Sequence, residues 1–431
     1  MTATEKIYKL FNEFPYISTD SREIYKDSIF FALKGENFNG NKFAKEALQK
    51  GAAFAIIDEE EYYYSEKTIL VNNALESLQD LARVHRKKLG ILILAITGTN
   101  GKTTTKELVS IILSQKFNVS FTHGNLNNHI GVPLTLLKMN SKTEFGVVEM
   151  GANHSGEIAN LCSIADPDFG LITNIGKAHL EGFGSLEGVK KTKAELYLHL
   201  KKNDGTIFLN ANNSVLVKLA KDILNKVTYG KNDADFNGEP IQSPPFIHIK
   251  AKFPKGVLYL NTNLIGDFNF ENIMAAICIG NHFGVDPLKI QNALKEYTPK
   301  NNRSQLINKG GLKIIMDAYN ANPTSMQASI KSFISGFTGN NFLILGDMLE
   351  LGKSSSQEHI KILIQIQKYQ TTNIFLIGPI FTEVAKNYNF STFLNVDQFC
   401  KYLSENKIKN GNILIKGSRG IQLEKILDFI S

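Results

Sequence analysis

Short apolar runs recur along the whole chain, separated by segments with helical periodicity or turn residues. Early in the chain, residues 28–33 and 52–57 have the pattern of strands, and residues 43–50 favour a helix between them. Strands that alternate with helices are typical of parallel sheets with helical crossovers, so we predict an α/β protein. The later strand candidates are residues 91–96, 145–150, 169–173, 206–210, 313–317, 341–346, 373–378 and 412–416.

The number of strands and the chain length of 431 residues exceed what one hydrophobic core usually spans. We predict three domains: a small α/β domain at residues 1–88, a central doubly wound, P-loop ATPase-like sheet at 89–297, and a Rossmann-like α/β domain at 298–431. Ligands of such sheets bind beyond the carboxyl ends of the strands, so the loops after the strands are the candidate sites.

The segment 91–112 contains an apolar strand, a turn with two glycines and a helix in direct succession. The glycines allow a tight turn, and the helix presents the positive end of its dipole, which suits a polyphosphate. In this arrangement Lys102 reaches a terminal phosphate and the Thr103 hydroxyl binds Mg²⁺. Ile96 occupies the position of the first glycine of the general phosphate-loop pattern, so the loop is a shortened variant; an ordinary turn with a surface lysine is the alternative. The predicted phosphate loop comprises Gly98, Thr99, Asn100, Gly101, Lys102, Thr103 and Thr104.

Polar residues at or just beyond the ends of two further strands are expected to meet the same crevice as Lys102. Glu149 ends the strand at 145–150, where a carboxylate suits Mg²⁺, although a capping role is the alternative. Asn174 follows the strand at 169–173, and His179 lies a few residues further, in a loop where a packing or surface role is equally open. A solvated helix face explains Lys190, Lys191 and Lys193 on the residue pattern alone.

Composition and charge exclude several classes of function. The chain is 43% hydrophobic and 21% charged, with a formal charge of +7 spread along it, which suits anionic small substrates better than nucleic acid. Its three cysteines have no metal-binding spacing, which indicates a reducing compartment. No signal peptide or apolar run of membrane-spanning length is present, so we predict a cytoplasmic protein without membrane insertion.

A series of motifs in this order resembles the Mur ligase family, and the similarity spans almost the whole chain. The family member it most resembles adds D-alanyl-D-alanine to UDP-N-acetylmuramoyl-tripeptide. The resemblance implies an ATP-dependent ligase of peptidoglycan synthesis that works through an acyl phosphate. It also implies ATP and two Mg²⁺ ions as cofactors, and UDP-N-acetylmuramoyl-tripeptide, D-alanyl-D-alanine and ATP as the small-molecule partners. A monomer is expected. The motifs lie at residues 19–22, 35–40, 98–104, 125–133, 149–154, 179–185, 266–272, 317–323, 346–352 and 416–419.

The resemblance also implies roles for single residues. It implies that Lys102 and Arg303 bind the phosphates and that Thr103 and Glu149 bind the first Mg²⁺. His179 and a carbamylated Lys193 are implied to hold the second Mg²⁺, which replaces the surface interpretation of that lysine. Asn272, Asp317 and Asn320 are implied to bind the nucleoside of ATP, and Asn128 to lie near the reacting carboxyl group. The third domain is expected to close on ATP and the dipeptide. The implied substrate-binding residues are Asp20, Ser21, Arg22, Asn37 and Asn39 in the first domain, Asn174 in the second, and Lys416, Ser418 and Arg419 in the third.

Two other kinds of protein stay open on the sequence. One is another amide ligase with the same phosphate loop, either a different Mur ligase or a folylpolyglutamate synthetase-like enzyme. The Asp-Asn-Pro-Arg signature that Mur ligases adding the third amino acid carry in the third domain is absent here, and the Asp-Ser-Arg turn at 20–22 argues against the synthetase. A nucleotide-dependent switch is the non-enzymatic alternative, and the Asn-Lys-x-Asp motif of GTPases is absent. The third residue of the acceptor peptide, diaminopimelate or lysine, is not determined by these motifs.

Overall fold

The computed structural model describes residues 2–369 and 373–430. Its first unit is a parallel sheet with the strand order β1-β2-β5-β6 and a separate two-stranded hairpin, β3-β4. The strands are β1 (Tyr16–Ser18), β2 (Ser28–Phe31), β3 (Lys34–Gly35), β4 (Phe38–Asn39), β5 (Phe54–Ile57) and β6 (Thr68–Leu70). The helices are α1 (Ala3–Glu13), α2 (Ala44–Gln49) and α3 (Ala74–Leu89), with 3₁₀ turns at Gly40–Phe43 and Glu60–Tyr62.

Helix α3 joins the first unit to the second. Its N-cap, Asn73, accepts from the backbone of Leu75 and Glu76, and it ends at Gly90 in a left-handed conformation. The apolar face of α3 contributes Leu78 and Leu81 to a hydrophobic cluster that also contains residues of the central unit, so the two units share one core.

The central unit is a long sheet with the order β15-β14-β13-β12-β11-β10-β7-β9-β8. Strands β7 to β13 pair in parallel, whereas β13, β14 and β15 form an antiparallel extension. The strands are β7 (Leu92–Thr97), β8 (Val119–Phe121), β9 (Phe145–Glu149), β10 (Phe169–Ile172), β11 (Thr206–Asn210), β12 (Lys226–Gly230), β13 (Phe236–Ser243), β14 (Phe246–Phe253) and β15 (Gly256–Leu260). The helices are α4 (Lys102–Leu113), α5 (Gly131–Leu137), α6 (Glu157–Ala165), α7 (Leu180–Phe183), α8 (Leu186–Lys202), α9 (Ser214–Leu219), α10 (Asn269–His282) and α11 (Pro287–Glu296).

Strand β7 lies where the order of this sheet reverses, with β9 on one side and β10 on the other. Loops that leave neighbouring strands at such a point diverge and open a crevice at the carboxyl edge. The phosphate loop follows β7, so the topology places it at that crevice.

The third unit is a sheet with the order β16-β17-β21-β18-β19-β20, parallel except for β16. Because β21 lies between β17 and β18, the loops that follow these three strands meet at one edge. The strands are β16 (Gln305–Lys309), β17 (Gly311–Asp317), β18 (Asn341–Gly346), β19 (Asn373–Ile377), β20 (Ser391–Phe393) and β21 (Asn410–Lys416). The helices are α12 (Pro323–Gly336), α13 (Ser355–Gln367), α14 (Pro379–Val384) and α15 (Val396–Glu405), with 3₁₀ turns at Gly352–Ser354, Arg419–Ile421 and Leu423–Asp428.

These sheets confirm the predicted α/β class with a central doubly wound sheet, while the domain boundaries after residues 88 and 297 stay predictions. Within residues 2–369 and 373–430, no helix is both long and apolar enough to cross a bilayer.

Candidate functional site

A cavity of about 1330 Å³ is lined jointly by the central and third units. It lies at the crevice beside β7, where the strand order reverses. The predicted site residues that line it are Gly98, Thr99, Asn100, Gly101, Lys102, Thr103, Thr104, Asn128, Glu149, Asn174, His179, Lys193, Asn272, Arg303, Asp317, Asn320 and Lys416.

The phosphate loop is fixed from the side by the end of β10. The backbone N–H of Thr99 donates to the Asn174 carbonyl at 2.9 Å, and that of Asn100 donates to Asn174 Oδ1 at 3.0 Å. The Thr173 hydroxyl donates to the Asn100 carbonyl at 2.6 Å. Asn174 therefore shapes the loop, which is a different task from the substrate contact predicted for it.

The two loop glycines are needed for conformation and for space. Gly98 and Gly101 have φ angles of +140° and +78°, a region that other residues rarely adopt. A Cβ on Gly98 would overlap the Thr173 hydroxyl, and one on Gly101 would overlap the side-chain oxygen of Asn272. Asn272 is itself held, because Thr105 Oγ1 donates to its Oδ1 at 3.1 Å and its Nδ2 donates to Asn269 at 3.0 Å.

Lys102 folds back over the loop. Its Nζ donates to the carbonyls of Gly98 and Thr99 at 2.8 and 3.2 Å. Burial lowers the pKa of Lys102 from its ordinary value; the negative charge of Glu149 opposes this shift, and Arg303 adds to it. A phosphate in the cavity would give this cation a stronger partner than two neutral carbonyls.

Glu149 ends β9 with a carboxylate that is only partly satisfied. The residue is 1% exposed, and Asn127 Nδ2 donates to its Oε1 at 2.7 Å. Its Oε2 is buried and has no hydrogen-bond partner among the described residues. A buried acceptor left unpaired costs about 1–3 kcal/mol, and more when charged, so this oxygen fits a cation in the cavity.

The described side chains alone offer too few ligands to enclose a metal ion. In the part of the chain that the structure describes, no group of three or more His, Cys, Asp and Glu residues could hold one. Mg²⁺ commonly takes one or two carboxylates and completes its octahedron with phosphate oxygens and water. Glu149, with the buried hydroxyl-bearing Thr103 at the start of α4, fits that mode.

His179 is paired with a residue from the third unit. Its Nδ1 lies 2.6 Å from Glu350 Oε2, and its ring meets the Phe183 ring edge-on with centroids 6.3 Å apart. The hydrogen bond from His179 lowers the pKa of Glu350.

Lys193 is buried on α8, unlike its neighbours Lys190 and Lys191. It is 2% exposed, whereas Lys191 is exposed and Lys190 half-buried. The surface interpretation drawn from the residue pattern is therefore wrong for Lys193, because α8 turns that side of the helix toward the cavity. Burial first, and then the charge of Lys102, lowers the pKa of Lys193 to about 7.

Asp317, predicted to bind the nucleoside, lines the cavity and already has three partners within the protein. Its carboxylate accepts from Lys416 Nζ at 2.6 Å, from the Ser329 hydroxyl at 2.8 Å and from the Ser304 backbone at 3.1 Å. Lys416, predicted to bind substrate, is 2% exposed and is committed to this ion pair. These contacts tie the ends of β17 and β21 to the segment that enters the third unit.

Arg303 faces the cavity from that same entering segment. Its guanidinium carbon lies 3.6 Å from the centroid of the Tyr319 ring, and that of Arg419 lies 5.4 Å from it. Stacking on the ring orients Arg303 while leaving the edge of its guanidinium available to phosphate oxygens.

Two further contacts join the central and third units. Asn322 Nδ2 donates to Asn100 Oδ1 at 2.7 Å, so a loop residue touches the N-cap of α12. Lys177 Nζ lies 2.8 Å from Oε1 of the buried Glu358. The structure therefore has the third unit in contact with the phosphate loop.

The first-unit residues predicted to bind substrate do not line the cavity. Arg22 and Asp20 form an exposed pair with a shortest distance of 2.6 Å, and the bond from Arg22 lowers the pKa of Asp20 to about 2. Ser21 is buried with its carbonyl accepting from Lys50, and Asn39 Nδ2 donates to Glu59 at 2.9 Å. Asn37 is exposed at the tip of the β3-β4 hairpin.

Three other predicted residues have hydrogen-bond partners within the protein. Asn128 Oδ1 accepts from the backbone of Ile130 and Gly131 at the start of α5. Asn320 Oδ1 accepts from the next backbone N–H, at 2.8 Å. Ser418 is buried, outside the cavity lining, and accepts from the Leu349 backbone at 2.9 Å.

Sequence reasoning did not assign Asn127, Tyr319, Asn322 or Glu350 to the site. All except Glu350 line the cavity, and Glu350 touches it through His179. Each lies in a motif that was recognised, but its partner is far away in the sequence. A search for polar residues at the carboxyl ends of strands would find the segments that contain these residues, but it would not show which residue each of them contacts.

Family comparisons match most of the chain. The "Mur ligase family, catalytic domain" matches residues 13–89, the "Mur ligase middle domain" residues 96–280, and the "Mur ligase, glutamate ligase domain" residues 302–419. The UDP-N-acetylmuramoyl-tripeptide--D-alanyl-D-alanine ligase of Bacillus subtilis is 35% identical over 425 residues, which are 95% of this chain and 92% of the relative. The Haemophilus influenzae protein of the same name is 33% identical, with the same coverage of both chains.

Solved structures of similar ligases also match the chain over most of its length. The MurF ligase of Thermotoga maritima in complex with ADP superimposes with a TM-score of 0.86 at 28% identity, over 100% of this chain and 98% of that one. A MurF structure from Acinetobacter baumannii has a TM-score of 0.87 at 28% identity, over 96% and 92% of the two chains.

Proposed function

The chain belongs to the Mur ligase family, and we infer that it is an ATP-dependent ligase that joins D-alanyl-D-alanine to UDP-N-acetylmuramoyl-tripeptide. The products are the UDP-linked pentapeptide, ADP and phosphate, in a step of peptidoglycan synthesis. The observation that carries this conclusion is the match over 95% of the chain to a relative with that name. This name favours the ligase over the folylpolyglutamate synthetase and switch alternatives, and the ADP in the Thermotoga maritima structure supports ATP as the nucleotide.

The first chemical step must bring two anions together. The carboxylate of the tripeptide attacks the γ-phosphorus of ATP, forming a C–O–P bond as the bond to ADP breaks. At about 4 Å and an effective dielectric of about 20, two unit charges repel by roughly 4 kcal/mol. Lys102 and Arg303 line the cavity from opposite units and supply fixed positive charge against this repulsion.

Thr103 and the unpaired Oε2 of Glu149 would hold the first Mg²⁺, and His179 with a carbamylated Lys193 the second. Bound Mg²⁺ supplies further positive charge for the phosphates and the attacking carboxylate. Lys102 contributes a cation that can exchange its bonds to the Gly98 and Thr99 carbonyls for bonds to the γ-phosphate.

The environment of Lys193 supports the carbamate. Because its pKa is lowered to about 7, a large fraction of the amine is neutral near neutral pH. A neutral amine can add to the carbon of CO₂ and release one proton, which forms an N–C bond and leaves a carboxylate-like group. This change also removes the repulsion between Lys193 and Lys102.

In the second step, the amine of D-alanyl-D-alanine attacks the acyl carbonyl through a tetrahedral intermediate. The new C–N bond forms as the C–O bond to phosphate breaks, and the amine loses a proton. Asn128 lines the cavity at the start of α5, and its amide N–H₂ is free of the cap that its Oδ1 makes, so we assign it to the reacting carboxyl group.

The uridine diphosphate sugar is proposed to bind the first unit, at Asp20, Ser21, Arg22, Asn37 and Asn39. They lie outside the cavity lining, which suits the far end of a long substrate whose peptide carboxyl reaches Lys102. A cytoplasmic location is supported by the three cysteines, which are free and buried. The monomeric state is likewise proposed.

The test is the release of phosphate with ATP, Mg²⁺ and UDP-N-acetylmuramoyl-tripeptide, measured with and without D-alanyl-D-alanine, together with mass spectrometry of the product. We expect the dipeptide to stimulate release and to appear in the pentapeptide product. L-alanyl-L-alanine is the matched control. Release that no dipeptide stimulates would overturn the proposal, and offering tripeptides with diaminopimelate or lysine identifies the acceptor.

A further inference from the structure

The loop after β18 reaches from the third unit to the cavity histidine. Glu350, in this loop, lies with its Oε2 2.6 Å from Nδ1 of His179. No other hydrogen bond or ion pair to the His179 ring is present among the described residues. The contact thus links a proposed metal ligand of the central unit to a carboxylate of the third unit.

Both partners have an uncommon backbone conformation. His179 has a φ of +49° and Glu350 a φ of +65°, although neither is glycine. Left-handed conformations are unfavourable for L-residues other than glycine, and they persist where surrounding contacts fix them. The pairing is therefore made by two segments that are both held in place.

Buried contacts hold the loop just before Glu350. Asp347 is fully buried and accepts from the backbone of Ile380 and Phe381 at 2.9 and 2.8 Å. The next residue, Met348, donates its backbone N–H to Nε2 of the buried His359 at 3.0 Å. This anchoring fixes the backbone from which the Glu350 carboxylate extends.

A histidine that binds a metal through one nitrogen commonly donates the N–H of the other to a carboxylate, which sets both tautomer and ring orientation. We propose that Glu350 is the positioning residue for His179: it accepts the Nδ1–H and leaves Nε2 free for the second Mg²⁺. Because the carboxylate comes from the third unit, this metal site is complete only when that unit contacts the central one. The inference rests on the proposed function and adds to it a coupling between metal binding and domain contact.

A different explanation is that Glu350 only holds the two units together. The chain offers a matched control for that explanation, because Lys177 and Glu358 form a second ion pair between the same two units, at 2.8 Å. Glu358→Gln weakens this contact without touching His179, whereas Glu350→Ala removes the partner of the histidine.

The test is titration of the full-length protein with Mn²⁺, followed by electron paramagnetic resonance, with adenylyl imidodiphosphate and bicarbonate present. The second metal site is identified as the Mn²⁺ site that is lost in His179→Ala. We expect Glu350→Ala to weaken that site by roughly 10- to 100-fold, the usual loss for such carboxylate partners. Glu350→Gln, which keeps an acceptor for the Nδ1–H, is expected to lose less, and Glu358→Gln to leave the affinity unchanged.

Three results would overturn the inference: an unaltered Mn²⁺ affinity in Glu350→Ala, an equal loss in Glu358→Gln, or an unaltered affinity in His179→Ala. Pentapeptide formation is measured separately on the wild-type protein. If no pentapeptide forms but Glu350→Ala weakens Mn²⁺ binding selectively, the proposed function alone fails. If pentapeptide forms but the Glu350 variants bind Mn²⁺ normally, the positioning role alone fails.

Discussion

Replacing Gly101 by alanine should disturb the phosphate loop through two separate effects. Gly101 has a φ of +78°, and alanine in this left-handed region costs about 1–2 kcal/mol. The added Cβ would also overlap Asn272 Oδ1, so the Asn272 side chain must move. Moving it breaks the bonds to Thr105 and Asn269, each worth about 0.5–1.5 kcal/mol.

Together these effects predict that Gly101→Ala lowers the free energy of unfolding by about 2–5 kcal/mol. We also expect weaker ADP binding, by about tenfold or more, since each 1.4 kcal/mol of lost binding energy is a factor of ten. The chain has no tryptophan, so urea unfolding should be followed by far-ultraviolet circular dichroism and ADP binding by calorimetry.

Gly90→Ala is the matched control, because Gly90 has a φ of +61° and no atom within 4 Å of an added Cβ. It isolates the backbone cost at a site outside the cavity lining. If Gly101→Ala loses no more stability than Gly90→Ala and binds ADP normally, the reasoning about Asn272 is wrong.

Three further changes test the cavity. Lys102→Ala should lower kcat far more than it weakens ATP binding, because its charge acts on the γ-phosphate; unchanged phosphate release would contradict this. Lys193→Ala should abolish turnover and regain part of it with a short carboxylate in solution, whereas near-normal activity would exclude the carbamate. Since the pKa of Lys193 is lowered to about 7, its neutral fraction rises as the pH rises through that value, so at fixed dissolved CO₂ the ¹³C carbamate signal should grow; a signal that falls would refute it. Asn322→Ser keeps the N-cap of α12 but loses the amide pair with Asn100, so the KM for ATP should rise without loss of stability, and an unchanged KM would contradict a role for this contact.

Local patterns were enough to predict the strands and the phosphate loop. Within the run at 91–96, residues 93–96 are buried in the sheet, and continuous apolar sequence is the signal for a strand buried on both faces. The antiparallel extension β13–β15 was not predicted, although β14 alternates between buried and less buried positions. Its weaker signal reflects strands with one face toward solvent, where fewer apolar residues are required.

Contacts between distant segments could not be predicted from local patterns. Lys193 has the same residue type as Lys191, and only the packing of α8 makes one buried and the other exposed. Asp317 has the position of a ligand-binding residue at a strand end, yet Lys416 satisfies it because β21 pairs directly with β17. Both outcomes depend on tertiary neighbours that no sequence window contains.

The shortened phosphate loop explains why so many distant residues meet at it. Position 96, where the general pattern has its first glycine, lies inside β7, so the loop itself is short and is held by neighbouring segments. Asn174 fixes it from the end of β10, Asn272 from α10, and Asn322 from the third unit. Because one of these supports comes from the third unit, the shape of the nucleotide site depends on where that unit lies. The same unit carries Glu350 to His179, so nucleotide and metal binding should respond together to one movement.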